Sequence, residues 1–222
     1  LFLGLAFPTA LATHKIASVA LGAGATLRHL RGDGIDWRFA LFILAAGLPG
    51  VYVGTQVILQ LPDALARGAL GLLTLGLGLY SWRRPALGVS AKKANRDRSG
   101  MLVGALGLFA IGVLNGSLTS GTGLFVTIWL VRWFGLDYTR AVTYTLILVG
   151  LFWNGAGAIA LSQQAPVQWH WLPALLLGSL LGGYLGAHMA LRHGSGLVKR
   201  AFELLTVAVG CKLLWGAAQA LL

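Results

Sequence analysis

The chain has 222 residues, of which 57% are hydrophobic and only 10% are charged, and its mean hydropathy is +0.77. Soluble domains carry about 25% charged residues, so this composition excludes an ordinary soluble protein. The net charge of +11 does not indicate a nucleic-acid partner, because the basic residues lie between apolar runs and not along a polar face. Cys211 is the single cysteine, which excludes a disulfide framework and a cysteine-based zinc site.

Apolar runs of about 20 residues recur along the chain and are typical of membrane-spanning helices. The predicted spans are residues 5–27, 38–60, 64–82, 101–133, 137–161, 169–190 and 197–220. A basic stretch, RRPALGVSAKKANRDRSG at residues 83–100, divides these spans into two groups. We therefore predict an all-α polytopic membrane protein, placed in a cell membrane that is most simply the bacterial cytoplasmic membrane.

Four blocks of sequence recur in the same order in the two halves, which indicates an internal duplication. The matched pairs are GLAFPTALAT with GLDYTRAVTY, IDWRF with VQWHW, GVYVG with GGYLG, and LARGALGLL with LVKRAFELL. Residues 1–82 are then a first repeat, residues 83–100 a cytoplasmic linker, and residues 101–222 a second repeat. Residues 101–133 have no counterpart in the first repeat, so we expect a first helical hairpin to be missing from this chain.

The distribution of basic residues predicts the path of residues 101–133, which are too many for one ordinary span. If this segment crosses once, nine basic loop residues face the cytoplasm and six face outward. If it enters and returns, fourteen face the cytoplasm and Arg67 alone faces outward, as the positive-inside rule favours. A re-entrant or broken hairpin plus three transmembrane helices per repeat makes the two repeats inverted. A short loop between two full crossings gives the same charge distribution and stays an alternative.

The predicted hairpin has the polar tip NGSLTSGTG. Limbs of 12–16 residues are about 18–24 Å long, which is less than the hydrocarbon core of about 30 Å, so the tip lies within the membrane. Non-helical backbone within the membrane must be buried in protein or line a watery cavity. The start of the second limb carries a partial positive charge that favours an anion. The candidate substrate-binding residues of the tip are Asn115, Ser117, Thr119, Ser120, Gly121, Thr122 and Gly123. Alternatively, the small residues only allow close helix packing.

Lys15 is the most informative single residue, because it lies about ten residues into the first predicted span. A lysine at the membrane centre costs about 2.5–3.5 kcal/mol on insertion scales, so such a residue is a functional candidate. Thr13, His14 and Ser18 lie beside it and add hydrogen-bonding groups. One cation among hydroxyls suits an anionic substrate; the alternative is a structural lysine bonded to carbonyl groups.

The second repeat offers Thr145 and Asn154 as further substrate-binding candidates, although an asparagine there could equally bond a neighbouring helix. Glu203 follows Lys199 by four residues, which predicts a local ion pair. The aspartates fall in loops or at span ends, and no catalytic or nucleotide-binding motif occurs. We therefore expect no enzyme activity and no cofactor.

Three pieces of this sequence resemble the TauE/SafE family of sulfite exporters. They are residues 4–41 with Pro8, Ala12, Thr13 and Lys15 in a P-x-x-x-A-T-x-K pattern, the motif GVYVG, and the second half with GSLTSGTGLFVTIWLVRWFGLDYTRAVTYT. This resemblance extends over nearly the whole chain. It implies an integral membrane protein that exports or imports small sulfur oxyanions or organosulfonates.

The resulting hypothesis is a secondary transporter that moves sulfite or an organosulfonate by alternating access. A passive anion-selective channel and a non-transporting membrane scaffold are the alternatives. The expected partners are a small anionic sulfur-containing substrate and the lipid bilayer, with no nucleic acid. The sequence leaves the direction of flux, the coupling ion and assembly into a homo-oligomer open.

Overall fold

The computed structural model describes residue 5 and residues 7–29, 35–57, 63–118 and 122–219, and these ranges contain helices and no strand. The helices are α1 (Phe7–His29), α2 (Trp37–Val57), α3 (Asp63–Trp82), α4 (Arg98–Leu118), α5 (Thr122–Arg132), α6 (Tyr138–Ser162) and α7 (Leu172–Gln219). Gly194 interrupts α7 with φ 73° and ψ −175°, a conformation that is essentially restricted to glycine. We therefore divide α7 into α7a, residues 172–193, and α7b, residues 195–219.

The described helices confirm the predicted all-α polytopic class. Among the described residues, four segments are long and apolar enough to cross a membrane: Trp37–Val57, Arg98–Ser117, Tyr138–Ser162 and Trp169–Gln219. The helix boundaries lie within a few residues of the predicted ones, and the predicted break between the last two spans falls at Gly194. The expected missing hairpin and the inverted relation of the repeats stay predictions.

Helices α4 and α5 form a hairpin whose open end is closed by two indole hydrogen bonds. Trp133 Nε1 donates to the carbonyl oxygen of Gly100 at 2.9 Å, and Trp129 Nε1 donates to that of Gly104 at 3.3 Å. The end of α5 therefore lies beside the start of α4, as a segment that enters and returns requires.

The two limbs of the hairpin are unequal, which corrects the prediction of two limbs of 12–16 residues. Helix α4 has 21 residues and α5 has 11. The first limb is longer because the Asp97 carboxylate accepts hydrogen bonds from the Ser99 hydroxyl and the Gly100 N–H, so the helix begins within the linker. At 1.5 Å per residue, α4 is about 30 Å long and α5 about 16 Å.

The first and second predicted repeats meet where α2 packs on α4, the most extensive helix pairing in the described chain. A Cβ atom at Gly54 would lie 2.1 Å from the carbonyl oxygen of Val113 and 2.8 Å from the Cα of Gly116. These glycines therefore let the two backbones touch, which is how small residues promote helix association in lipid.

Helix α1 crosses α6 at a second glycine contact. A Cβ atom at Gly22 would lie 2.6 Å from the carbonyl carbon of Gly150. Gly150 belongs to a π-helical segment of α6, Thr145–Trp153, and π-helical turns are frequent at functional sites. This crossing places the middle of α1 against the π-helical segment.

The linker packs along the loop that joins α5 to α6. The backbone N–H of Lys92 donates to the carbonyl oxygen of Gly135 at 2.8 Å, and the backbone N–H of Tyr138 donates to the carbonyl oxygen of Gly88 at 2.8 Å. The ends of α3 and α5 and the starts of α4 and α6 therefore lie at one end of the molecule. We call it the linker end.

Candidate functional site

A central cavity of about 530 Å³ lies between α1, the hairpin, α6 and both parts of α7. Its volume falls within the range of about 300–1,000 Å³ that is usual for small-molecule sites. The polar side chains that line it are those of His14, Ser18, Asn115, Thr127, Thr145 and Asn154. Most other lining side chains are apolar, and no aspartate or glutamate of the described ranges lines the cavity.

Lys15 lies directly behind this cavity and is completely buried. Its Nζ donates to the main-chain oxygen of Asn115 at 3.0 Å and to the side-chain oxygen at 3.1 Å. Asn115 is in the last turn of α4, where carbonyl groups lack intrahelical partners and carry a partial negative charge. The lysine therefore caps α4 and is separated from the cavity by one side chain.

The side chain of Asn115 connects the helices at the hairpin tip. Its Nδ2 donates to Thr122 Oγ1 at 2.8 Å and points toward Asn154 Oδ1 at 3.5 Å. Together with the two bonds from Lys15, these contacts join α1, α4, α5 and α6 through one buried amide. The position of the amide at the cavity wall is therefore fixed by three neighbouring helices.

Two hydroxyl contacts complete the polar wall. Thr127 Oγ1 donates to the carbonyl oxygen of Gly123 at 3.0 Å and lies 3.0 Å from Thr145 Oγ1, so Thr145 serves as the donor to Thr127. His14 Nε2 and Ser18 Oγ are 3.3 Å apart on the α1 side. Thr127 was not predicted from the sequence, because it stands within the apolar run LFVTIWLV; its position one turn after Gly123 is the signal that could have identified it.

The structure brings six of the predicted residues to the cavity: His14, Ser18, Asn115, Gly123, Thr145 and Asn154. Lys15 and Thr122 are buried behind the wall and bond to Asn115. Thr119, Ser120 and Gly121 lie outside the described residues.

The remaining two predicted residues use their hydroxyls to hold the helices. Ser117 donates to the carbonyl oxygen of Val113 in its own helix at 2.8 Å. Thr13 donates to Thr9 of α1 at 2.8 Å and accepts from the backbone N–H of Gln168 at 3.1 Å. Neither side chain lines the central cavity.

A separate polar cluster near the linker end confirms the predicted pairing of Lys199 with Glu203. Lys199 Nζ also donates to the main-chain oxygen of Ser81 at 2.9 Å, and Ser81 Oγ donates to Glu203 Oε1 at 2.9 Å. The Tyr138 hydroxyl lies 2.7 Å from Ser81 Oγ. This cluster holds α3, α6 and α7b together.

Across the described ranges, no group of three or more His, Cys, Asp or Glu residues is suited to hold a metal.

Comparison with known proteins identifies the family of this chain. A family profile described as sulfite exporter TauE/SafE matches residues 1–213. A probable membrane transporter protein of Haemophilus influenzae is 26% identical over 216 residues, which are 97% of this chain and 83% of that protein. One of the same name from Xylella fastidiosa is 24% identical over 212 residues, 93% of this chain and 79% of that protein. No solved structure matches significantly.

The family match covers almost the whole length, and the helices supply the spans that a multi-pass membrane protein needs. The chain therefore belongs to the sulfite exporter TauE/SafE family and is a membrane transporter of the cell membrane.

Proposed function

We propose that the protein is a secondary transporter that moves a small anion, sulfite or an organosulfonate, through the central cavity by alternating access. The observation that carries this proposal is the completely buried Lys15, which places a cation next to a cavity whose described lining contains no carboxylate. The partial negative charge at the end of α4 compensates this buried cation only in part, and a transported anion would supply the rest of the countercharge. The name of the family supports sulfite as the first substrate to test.

The two helix ends at the hairpin tip support the same sign of charge. The start of α5 carries a partial positive charge, and Gly123 there lines the cavity. The end of α4 carries a partial negative charge, which Lys15 offsets through its bonds to Asn115. The tip as a whole therefore favours an anion, and the amides and hydroxyls around it supply hydrogen bonds.

The experiment is uptake of labelled sulfite into proteoliposomes, with Lys15→Leu compared against Lys212→Leu. Lys212 is an exposed lysine of α7b outside the lining of the central cavity, so its replacement is the same chemical change away from the proposed site. We expect Lys15→Leu to reduce uptake by about tenfold or more, since hydrogen bonds to a charged group contribute about 1.5–3 kcal/mol. Lys212→Leu should retain uptake. Gel filtration of both variants checks that they fold.

The alternatives give different results in the same vesicles. A passive channel would carry current at a fixed potential without a coupling ion. A scaffold would show no solute flux under any gradient. Equal uptake by the parent and a folded Lys15→Leu variant would make Lys15 purely structural and overturn its role in the anion site.

A further inference from the structure

A second cavity lies at the linker end, separate from the central one. It has a volume of about 110 Å³, and the charged side chains that line it are Asp36, Lys93, Arg96 and Arg140. Three cations and one carboxylate give this linker-side pocket a positive balance. The pocket shares Asp36, Arg140 and Tyr144 with a neighbouring cavity of about 360 Å³.

Arg96 differs from the other cations of the pocket in the contacts it makes. Its guanidinium carbon lies 3.7 Å from the ring centre of Phe39 and 5.1 Å from that of Phe134. The two rings pack edge to face with centres 5.1 Å apart, so they form a fixed platform. The described structure gives this guanidinium no hydrogen bond and no ion pair, so its N–H donors stay available.

Two of the other charges around the pocket, Asp36 and Arg140, already have partners. Asp36 Oδ1 accepts from the backbone N–H groups of Arg38 and Phe39 at 3.0 and 3.3 Å, which spreads its negative charge into the start of α2. Arg140 lies 3.7 Å from an oxygen of Asp137 and is largely exposed. Partial burial lowers the pKa of the Arg96 guanidinium, and the attraction of Tyr144 and Asp36 opposes this shift without reversing it.

We propose that the linker-side pocket binds a small oxyanion on the cytoplasmic side of the membrane, with the Arg96 guanidinium as its main ligand and Lys93 and Arg140 as supporting charges. A planar guanidinium donates two parallel hydrogen bonds to an oxyanion, and stacking on Phe39 fixes the direction of its donors. The small volume selects an inorganic oxyanion over a large organic one. The proposal rests on the proposed function for the identity of the anion, which would be the substrate held before it enters the helices.

The test is equilibrium binding of labelled sulfite to the full chain in nanodiscs at constant ionic strength. Arg96→Gln is compared with Arg83→Gln, which removes the same charge from an exposed position of the same linker outside the pocket. We expect Arg96→Gln to weaken binding by about tenfold and Arg83→Gln to leave it nearly unchanged, because a charge-assisted bidentate pair contributes more than a screened surface charge. Arg96→Lys keeps the charge without the planar fork and should fall between these values.

Two outcomes would overturn the pocket. Equal losses of sulfite affinity in Arg96→Gln and Arg83→Gln would mean that the anion is attracted by the net surface charge. Unchanged affinity in a folded Arg96→Gln variant would mean that the pocket is not used.

Transport separates this proposal from the proposed function. Sulfite binding that depends on Arg96 in a protein without sulfite flux would support the pocket and reject the function. Flux with a KM on the linker side that Arg96→Gln does not change would support the function and reject the pocket.

Discussion

Lys15 and Asn115 form a buried contact between α1 and the end of α4, with Lys15 Nζ 3.0 Å from the main-chain oxygen and 3.1 Å from the side-chain oxygen of Asn115. Asn115 also lines the central cavity, so the residue that holds the lysine is one that a ligand in the cavity would meet. A ligand that forms a hydrogen bond with the amide would therefore change the contact between α1 and the hairpin. Under the proposed function, this one side chain would couple binding to helix position.

Replacing Asn115 by aspartate is expected to separate stability from transport. The carboxylate keeps an acceptor for Lys15 and adds the opposite charge, which offsets the loss of the Nδ2 bonds to Thr122 and Asn154, so the apparent melting temperature in detergent should not fall. The same negative charge at the cavity wall repels an anionic substrate, and we expect sulfite uptake to fall by about tenfold or more, equivalent to at least 1.4 kcal/mol. Asn95→Asp, the same change in the linker, is the control. Full uptake by Asn115→Asp would contradict an anion-binding role for this wall.

The paired glycines of the two repeats predict opposite responses to alanine. A Cβ atom at Gly50 would lie 2.2 Å from the carbonyl oxygen of Phe109 in α4, whereas one at the matched Gly182 would meet nothing within 4 Å. Overpacking costs about 1–3 kcal/mol, which lowers the melting temperature of a chain of this size by roughly 2–10 °C. Gly182→Ala should be neutral or slightly stabilising, since alanine is the better helix former.

Thermal melting of the two purified variants in the same detergent checks this difference. A loss at Gly182 as large as that at Gly50 would contradict an open face on α7a. It would mean that another helix covers Gly182.

The sequence was sufficient to predict most helices, because long apolar runs bounded by charges leave few alternatives in a membrane. It did not predict the length of α4. The N-cap at Asp97 lies inside a basic stretch that is typical of a loop, although an aspartate four residues before Met101 is a recognisable start signal. The π-helical segment Thr145–Trp153 was also missed, because it has no sequence period that differs from an apolar α-helix.

The sequence predicted most of the polar residues that line the cavity but not their arrangement, and their role in substrate binding stays a prediction. The cost of a buried charge identified Lys15, and the polar tip identified Asn115, but the bond between them joins residues a hundred positions apart. Such a contact depends on how α1 crosses α6 at Gly22 and Gly150, which composition and periodicity do not determine. The Arg96 platform was missed for the same reason, since the residues that form it come from α2, the linker and the end of the hairpin.

The ion pair of Lys199 and Glu203 is expected to stabilise the linker end only while both partners are present. Glu203→Gln leaves the Lys199 charge buried beside Ser81 without its carboxylate, and breaking a buried pair in this way costs about 3–5 kcal/mol. The double variant Lys199→Met with Glu203→Leu removes both charges and should melt near the parent or above it. Melting curves of the parent, Lys199→Met, Glu203→Leu and the double variant form a complete cycle. Independent, additive losses would show that the two side chains do not act as a pair.

The hydroxyl contact between Thr127 and Thr145 predicts a transport effect without a folding effect. Thr145→Val keeps the shape of the side chain but removes a donor at the cavity wall, where the π-helical segment faces α5. We expect the KM for sulfite to rise by roughly fivefold to tenfold, because a neutral hydrogen bond contributes about 1 kcal/mol and its loss exposes an apolar group to the anion. Thr26→Val is the matched control, since the Thr26 hydroxyl bonds to the carbonyl oxygen of Gly22 in its own helix and does not line the cavity. Initial uptake rates over a range of sulfite concentrations measure KM and the maximal rate. An equal rise in KM for the two variants would assign the effect to helix α1 or α6 as a whole and remove Thr145 from the site.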